Sequence, residues 1–214
     1  MSGMSELARI GVDESGKGDY FGPLVIAACY VGPVQEASLE GIVESKKATD
    51  KQALKMDADI RRVCPHSVIT VLPERYNELY QKIGNLNKLL EWGHAKAIEN
   101  VLAEQECRLV ISDQFANPAG LKRVIAQKGL DIDLRSEVRA ESDLAVAAAS
   151  ILARAEFLRR LDSLGKSIGV PLAKGAGANV DNLARNLVKS EGEAILGKVA
   201  KLHFKTTQKV LGKL

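Results

Sequence analysis

Two adjacent acids, Asp13 and Glu14, followed at once by Ser15-Gly16-Lys17-Gly18, are the sharpest local feature of the chain. Residues 8–14 read as a short strand, and neighbouring strand residues point to opposite faces. Both carboxylates therefore share one site only where the strand ends or kinks, which the following glycines permit. Asp113 closes a second expected strand, 108–113. If the two strands are neighbours, three carboxylates meet at one edge of a sheet. Acids crowded in this way repel unless a cation neutralises them, and a hard divalent ion such as Mg²⁺ is the natural occupant. Glu141 or Asp143, at the start of a helical stretch, could supply a fourth acid. Taken one at a time, these positions also fit plainer readings. Asp13 and Asp113 serve as turn acids, and an acid at 141 or 143 suits capping and the helix dipole. The amides of Gly16-Lys17-Gly18 could meet a phosphate, but Gly-x-Gly also occurs in ordinary turns.

Other chemistries find no support. His66, His94 and His203 lack metal-ligand spacing, and no Ser or Cys sits in a nucleophile elbow. Cys29, Cys64 and Cys107 are odd in number and far apart, which argues against a disulfide framework or a Cys-based zinc site and for reduced, mostly buried thiols. With 46% hydrophobic and 27% charged residues among 214, the composition is globular. No segment is apolar over eighteen residues, so the expectation is a cytoplasmic protein with no membrane contact and no obligate protein partner. A net charge of +3 is only a weak pointer to a polyanion. Lys46-Lys47, Lys122-Arg123, Arg159-Arg160 and the stretch from Lys198 to Lys213 read as solvated basic faces.

The elements that must position the acids follow from periodicity. Strands are expected at 8–14, 23–31, 67–72, 108–113 and near 130–135, with helices at 49–63, 85–105, 118–128 and 141–164. Ala145, Ala147, Ala148, Ala149 and Ser150 give the last of these a small face for close approach to a sheet. Trp92, Tyr76 and Tyr80 read as core residues in helical segments. After the 165–179 loop the chain is helical. The fold class is α/β, with a sheet of about five strands flanked by helices. The expected organisation is one domain over 1–214 with a helical C-terminal extension from about 165.

The stretch Gly11-Val-Asp-Glu-Ser-Gly-Lys-Gly-Asp-Tyr-Phe-Gly-Pro23 closely resembles the signature of the ribonuclease HIII family. Type 2 ribonucleases H share its Asp-Glu-x-Gly-x-Gly start, and Gly18 to Pro23 is similar to the HIII version. Four further stretches resemble the same family in the same order: Glu44-Ser-Lys-Lys47, Tyr76-Asn77 through Asn85-Leu-Asn87, Ile111 to Ala116, and Ala145 to Arg154. Lys174-Gly-Ala176 and Val199 to Phe204 extend the resemblance, which covers about residues 8–210.

The resemblance implies a ribonuclease H-like fold with a central mixed sheet, and Asp13, Glu14 and Asp113 as catalytic metal ligands. Glu141 matches the family's fourth acid, with Asp143 as the alternative. Two Mg²⁺ or Mn²⁺ ions about 4 Å apart would serve hydrolysis of the RNA strand of an RNA–DNA hybrid, leaving 5′-phosphate and 3′-hydroxyl ends. Gly16, Lys17 and Gly18, with Ser45 or Lys46, would contact 2′-hydroxyls, and the DNA strand would be held through its phosphates. Two features depart from the family pattern. Ribonuclease HIII usually begins with an extra substrate-binding domain, whereas Asp13 stands almost at the start here, so binding is expected to rely on other surfaces. Ribonuclease HII carries Gly-Arg-Gly and a later tyrosine that senses an RNA–DNA junction; this chain has Gly16-Lys17-Gly18 and no tyrosine after Tyr80. The alternatives are ribonuclease HII-like cutting at single ribonucleotides in DNA, and a non-catalytic nucleic-acid-binding relative.

Overall fold

The computed structural model describes residues 8–39, 49–113, 118–137 and 140–212. Strand β1 (Arg9–Ser15) alternates through the fully buried Ile10 and Val12. Strand β2 (Leu24–Val31) is buried along nearly its whole length, as its unbroken apolar run requires. With β3 (His66–Val71), β4 (Leu109–Asp113) and β5 (Asp133–Glu137) they make a mixed sheet in the order β3-β2-β1-β4-β5. The pairings β1–β4 and β4–β5 are parallel, with Val12 beside Ser112 and Asp113 beside Glu137. The neighbouring strands supposed for Asp13 and Asp113 are thus real neighbours.

Among the described residues the helices are α1 (Pro33–Ser38), α2 (Asp50–Val63), α3 (Pro73–Ile83), α4 (Leu86–Leu102), α5 (Pro118–Gln127), α6 (Leu144–Ser167), α7 (Ala178–Glu191), α8 (Ala194–Val199) and α9 (Lys205–Val210). Thr49 opens α2 as expected: its hydroxyl accepts from the Gln52 amide at 3.3 Å while Gln52 Oε1 accepts from the Thr49 amide at 2.7 Å. No expected element covers α1, and the expectation for α3 is only an unbounded helical segment around Tyr76 and Tyr80. Each is opened by a proline in its first turn, where the missing N–H costs nothing. No helix among the described residues is long and apolar enough to cross a membrane.

The chain forms two compact units. The first holds β1 to Glu14, Ile26–Ile69 and Asn87–Ala155. Here α6 lies directly on β1, because a Cβ added to Gly11 would stand 2.0 Å from the Ala145 carbonyl carbon. Ala145, Ala148 and Ala149 are fully buried, which realises the small face read from the sequence, although Ala147 and Ser150 are only half-buried. The amphipathic pattern expected for this helix gives way to burial on nearly all sides from Leu144 to Leu152. In the same unit α4 packs on β2, where a Cβ on Gly93 would meet Ile26 Cδ1 at 2.1 Å. Trp92 departs from the core role expected of it and is 42% exposed, since the buried face of α4 runs through Leu89, Leu90, Ala97 and Ile98. The three thiols are free; Cys29 and Cys64 are buried and Cys107 half-buried.

The second unit comprises Ser15–Val25, Thr70–Leu86 and Glu156–Leu214. Asn77 of α3 ties it together: its amide nitrogen donates to the carbonyls of Gly197 and Ala200, and its oxygen accepts from the Leu202 amide. Phe21 forms an isolated antiparallel bridge with Ala200.

Candidate active site

Asp13 and Glu14 sit near the end of β1, and Asp113 closes β4. The parallel register runs through Val12↔Ser112, so Asp13 and Asp113 are next in line at the same end of the sheet. Where the sequence suggested that the strand ends at Glu14, it continues through Ser15, and the two adjacent acids acquire different partners. Asp13 Oδ1 accepts from the Glu14 amide at 2.8 Å, and the carboxylate also accepts from the Ser150 hydroxyl of α6. Glu14 Oε2 lies 3.0 Å from Nε2 of the buried His94 on α4. Burial first, and the neighbouring Glu14 charge second, push the Asp13 carboxyl up to about 6, while Ser150, the Glu14 amide and His94 pull the other way.

His94 is the site residue that sequence reasoning missed, because a lone histidine without ligand spacing carries no signal. Its place on the apolar face of α4, between Leu90 and Ile98, is the clue the sequence did hold.

The region expected to supply the fourth acid separates into two parts. Asp143 Oδ1 accepts from the amides of Ala145 at 2.8 Å and Val146 at 3.3 Å, which makes Asp143 the cap of α6. Its Oδ2 accepts from Arg9 Nε at 2.5 Å, and Arg9 reaches Glu36 at 3.2 Å. Burial alone would lower the Arg9 guanidinium, but these two carboxylates hold it above its ordinary value. Both carboxylate oxygens of Asp143 thus have partners within the fold. Glu141 lies ahead of the helix in a separate 3-10 turn, Ala140–Ser142, rather than inside the helix as expected. Ala140 packs against Ile111 and Val146, which anchors this turn beside β4 two residues from Asp113. The side chain of Glu141 lies outside the described residues, as do Ser45 and Lys46.

Of the turn residues singled out by sequence, Gly16 has φ +85°, and a Cβ there would meet the Pro23 carbonyl oxygen at 2.1 Å, so only glycine fits. Gly18 is exposed, with nothing within 4 Å of where a Cβ would stand, and Lys17 is half-buried. Among the described residues no three His, Cys, Asp or Glu side chains already converge on one metal position. The donor set nevertheless suits a hard divalent ion: it is all carboxylate oxygen, and one member is desolvated next to another. Not every basic residue lies on a solvated face, since Lys201, within the closing basic stretch, is fully buried.

A mixed sheet in this order, with acids at the ends of its central parallel pair, defines a ribonuclease H-like fold. The family model for ribonuclease HII matches residues 10–207. Ribonuclease HIII of Protochlamydia amoebophila is 42% identical over 208 residues, covering 96% of this chain and 69% of the relative. Ribonuclease HIII of Chlamydia trachomatis serovar L2 is 45% identical over 211 residues, covering 96% and 70%. The crystal structure of Bst-RNase HIII in complex with Mn²⁺ superposes with a TM-score of 0.89 at 32% identity, covering 98% of this chain and 71% of that one. The chain belongs to the ribonuclease HII family of type 2 ribonucleases H, in its ribonuclease HIII branch.

Proposed function

We propose that the chain is an endonuclease that hydrolyses the RNA strand of RNA–DNA hybrids, with Asp13, Glu14, Asp113 and Glu141 as its catalytic acids. The observation that carries this reading is the desolvated Asp13 carboxylate beside Glu14 at the end of β1, which calls for a cation. These acids would hold Mg²⁺ or Mn²⁺, the second being the ion in the Bst relative. When bound, a pair of such ions supplies an activated water and neutralises the leaving 3′ oxygen, so that the products carry 5′-phosphate and 3′-hydroxyl ends.

The remaining work falls to the chain's own residues. The Ser150 hydroxyl and the Glu14 amide orient Asp13, and His94 fixes Glu14. Asp143 and Arg9 set the start of α6 and thereby the position of Ser150. The turn Gly16-Lys17-Gly18 follows Glu14 by one residue and offers backbone and one cation to the RNA strand, where 2′-hydroxyls distinguish it from DNA. Incubation of a hybrid duplex with Mg²⁺, with and without EDTA, tests the reading. Cleavage that EDTA abolishes supports it, and hybrid binding without cleavage in either Mg²⁺ or Mn²⁺ would identify a non-catalytic relative instead.

A further inference from the structure

Lys201 is fully buried, an expensive place for an ammonium group unless its protons are satisfied. Its Nζ donates to the Asp19 and Gly22 carbonyls, each at 2.7 Å, and stands 5.8 Å from the centre of the Tyr76 ring. Burial pushes the group down to about 7 against the pull of Asp19. Both accepting carbonyls belong to the turn that starts at Gly16. The same turn is stitched by the Lys201 amide to the Tyr20 carbonyl and by the Gly22 amide to the Val199 carbonyl, at 2.9 Å each. Asp19 Oδ1 accepts from the Gly175 amide at 2.6 Å, and the Tyr20 amide donates to the Gly175 carbonyl at 2.9 Å. Asn77 in turn fixes residues 197, 200 and 202 on either side of Lys201.

The turn cannot hold this shape by local preference alone. Gly16 and Gly22 have φ of +85° and +83°, and the Gly22 carbonyl accepts from Lys201 in a buried hydrogen bond while that of Asp19 accepts in a half-buried one. An aliphatic side chain at 201 would leave the buried Gly22 acceptor unsatisfied and strip the half-buried Asp19 carbonyl of its donor, so the turn would relax toward solvent.

We infer that Lys201 is a positioning residue for substrate choice: it holds the turn 16–22 in the conformation that presents Gly16-Lys17-Gly18 to the 2′-hydroxyls of the RNA strand. This inference rests on the function proposed above and assigns a role to a residue that touches neither substrate nor metal.

The test compares the full-length wild type with Lys201→Met on two hybrids, one all-ribonucleotide in its RNA strand and one carrying 2′-deoxy substitutions flanking the cleaved bond. The wild type is expected to lose at least about tenfold in kcat/KM on the second substrate, the effect of a lost, well-placed hydrogen bond or two. In Lys201→Met that ratio is expected to fall to within about threefold, because a turn displaced by even an ångström no longer reads the hydroxyl. A merely structural role would slow both substrates equally. If the folded methionine variant keeps the wild-type ratio, the inference is wrong, whatever its absolute rates. If the methionine variant lacks a cooperative unfolding transition, the same ratio is read on Lys201→Arg, whose larger head group displaces the two carbonyls while keeping donors. A ratio reduced at least threefold supports the inference and an unchanged one overturns it. A wild type that cuts neither substrate refutes the functional reading and this inference with it, whereas cutting with an unaltered ratio refutes the inference alone.

Discussion

Gly11→Ala should damage both stability and catalysis, and its magnitude can be worked from the contact of β1 with α6. The new Cβ would stand 2.0 Å from the Ala145 carbonyl carbon, 2.1 Å from the Val146 nitrogen and 2.3 Å from the Ala145 oxygen, where ordinary contact begins near 3.4 Å. All three atoms are backbone, so no rotamer change relieves the clash, and the first turn of α6 must move off the strand by more than about 1 Å. Overpacking costs about 1–3 kcal/mol in general, and an obstacle of rigid backbone belongs at the upper end, about 3 kcal/mol. For a chain of this size that lowers Tm by roughly 6–12 °C. The displacement also carries Ser150, about 7 Å further along the helix, away from Asp13. A misplacement of this size at a site costs up to about a hundredfold in rate. Urea unfolding read by circular dichroism gives the stability change, and kcat on an RNA–DNA hybrid gives the catalytic one. Gly197→Ala is the control: its Cβ would meet nothing within 4 Å on α8, so it should be neutral or stabilising. A Gly11→Ala protein within about 0.5 kcal/mol of wild type, the ordinary range for surface changes, would refute the claim that α6 is seated on the strand.

Asp13→Asn should fold and still bind hybrid yet lose cleavage, since it removes charge and keeps shape; activity within about tenfold of wild type would sink the metal-ligand role. Glu141→Gln should cost most of the rate and little stability, while Asp143→Ala should cost about 3 kcal/mol by uncapping α6 and breaking the Arg9 pair. A reversed order in rate and stability would move the fourth ligand to Asp143. Lys201 sits at about 7 against 10.5 for a free lysine, so the folded chain holds fewer protons than the unfolded one between those values. Wild-type stability relative to Lys201→Met should therefore rise as pH goes from about 7 to about 10, and urea midpoints that stay parallel over that window would contradict the lowered value of the buried Lys201 amine. A hybrid with a run of ribonucleotides should be cut at several positions and a DNA duplex holding one ribonucleotide hardly at all, at matched salt in Mg²⁺. Equal rates on the two would favour ribonuclease HII-like junction cutting.

What was legible in the sequence is what periodicity and motif order encode. β1, β2, β4 and α2 lie within a residue or two of their expected bounds, because apolar runs and the Thr49 cap are local signals. Asp13, Glu14 and Asp113 stood out for the same reason, each being tied to a strand end. The helix after Glu141 shifted to Leu144 because its start is set by Asp143, whose capping position is supported by Arg9, 134 residues away. Lys201 was illegible on similar grounds, and His94 was marked only by its place on the apolar face of α4. A lysine in a basic stretch reads as solvated, and only the turn carbonyls of Asp19 and Gly22 turn it inward. Polar residues whose meaning lies in a distant partner give no periodic signal.

Strand alternation accounts for the unequal surroundings of the two β1 acids. Asp13 falls on the same face as Gly11, the face that α6 covers, and so meets Ser150; Glu14 falls on the other face, where α4 supplies His94. Each carboxylate is thus anchored by its own helix, and the desolvated Asp13 carries a charge that needs relief. The close approach that makes this possible rests on small residues at two contacts, Gly11 against Ala145 on one face and Gly93 against Ile26 on the other. Enlarging either residue therefore moves one acid's support while leaving the other's in place. The position of Ser150 against Asp13 depends on α6, and that of His94 against Glu14 on α4, so the two glycines control the two halves of the carboxylate pair separately.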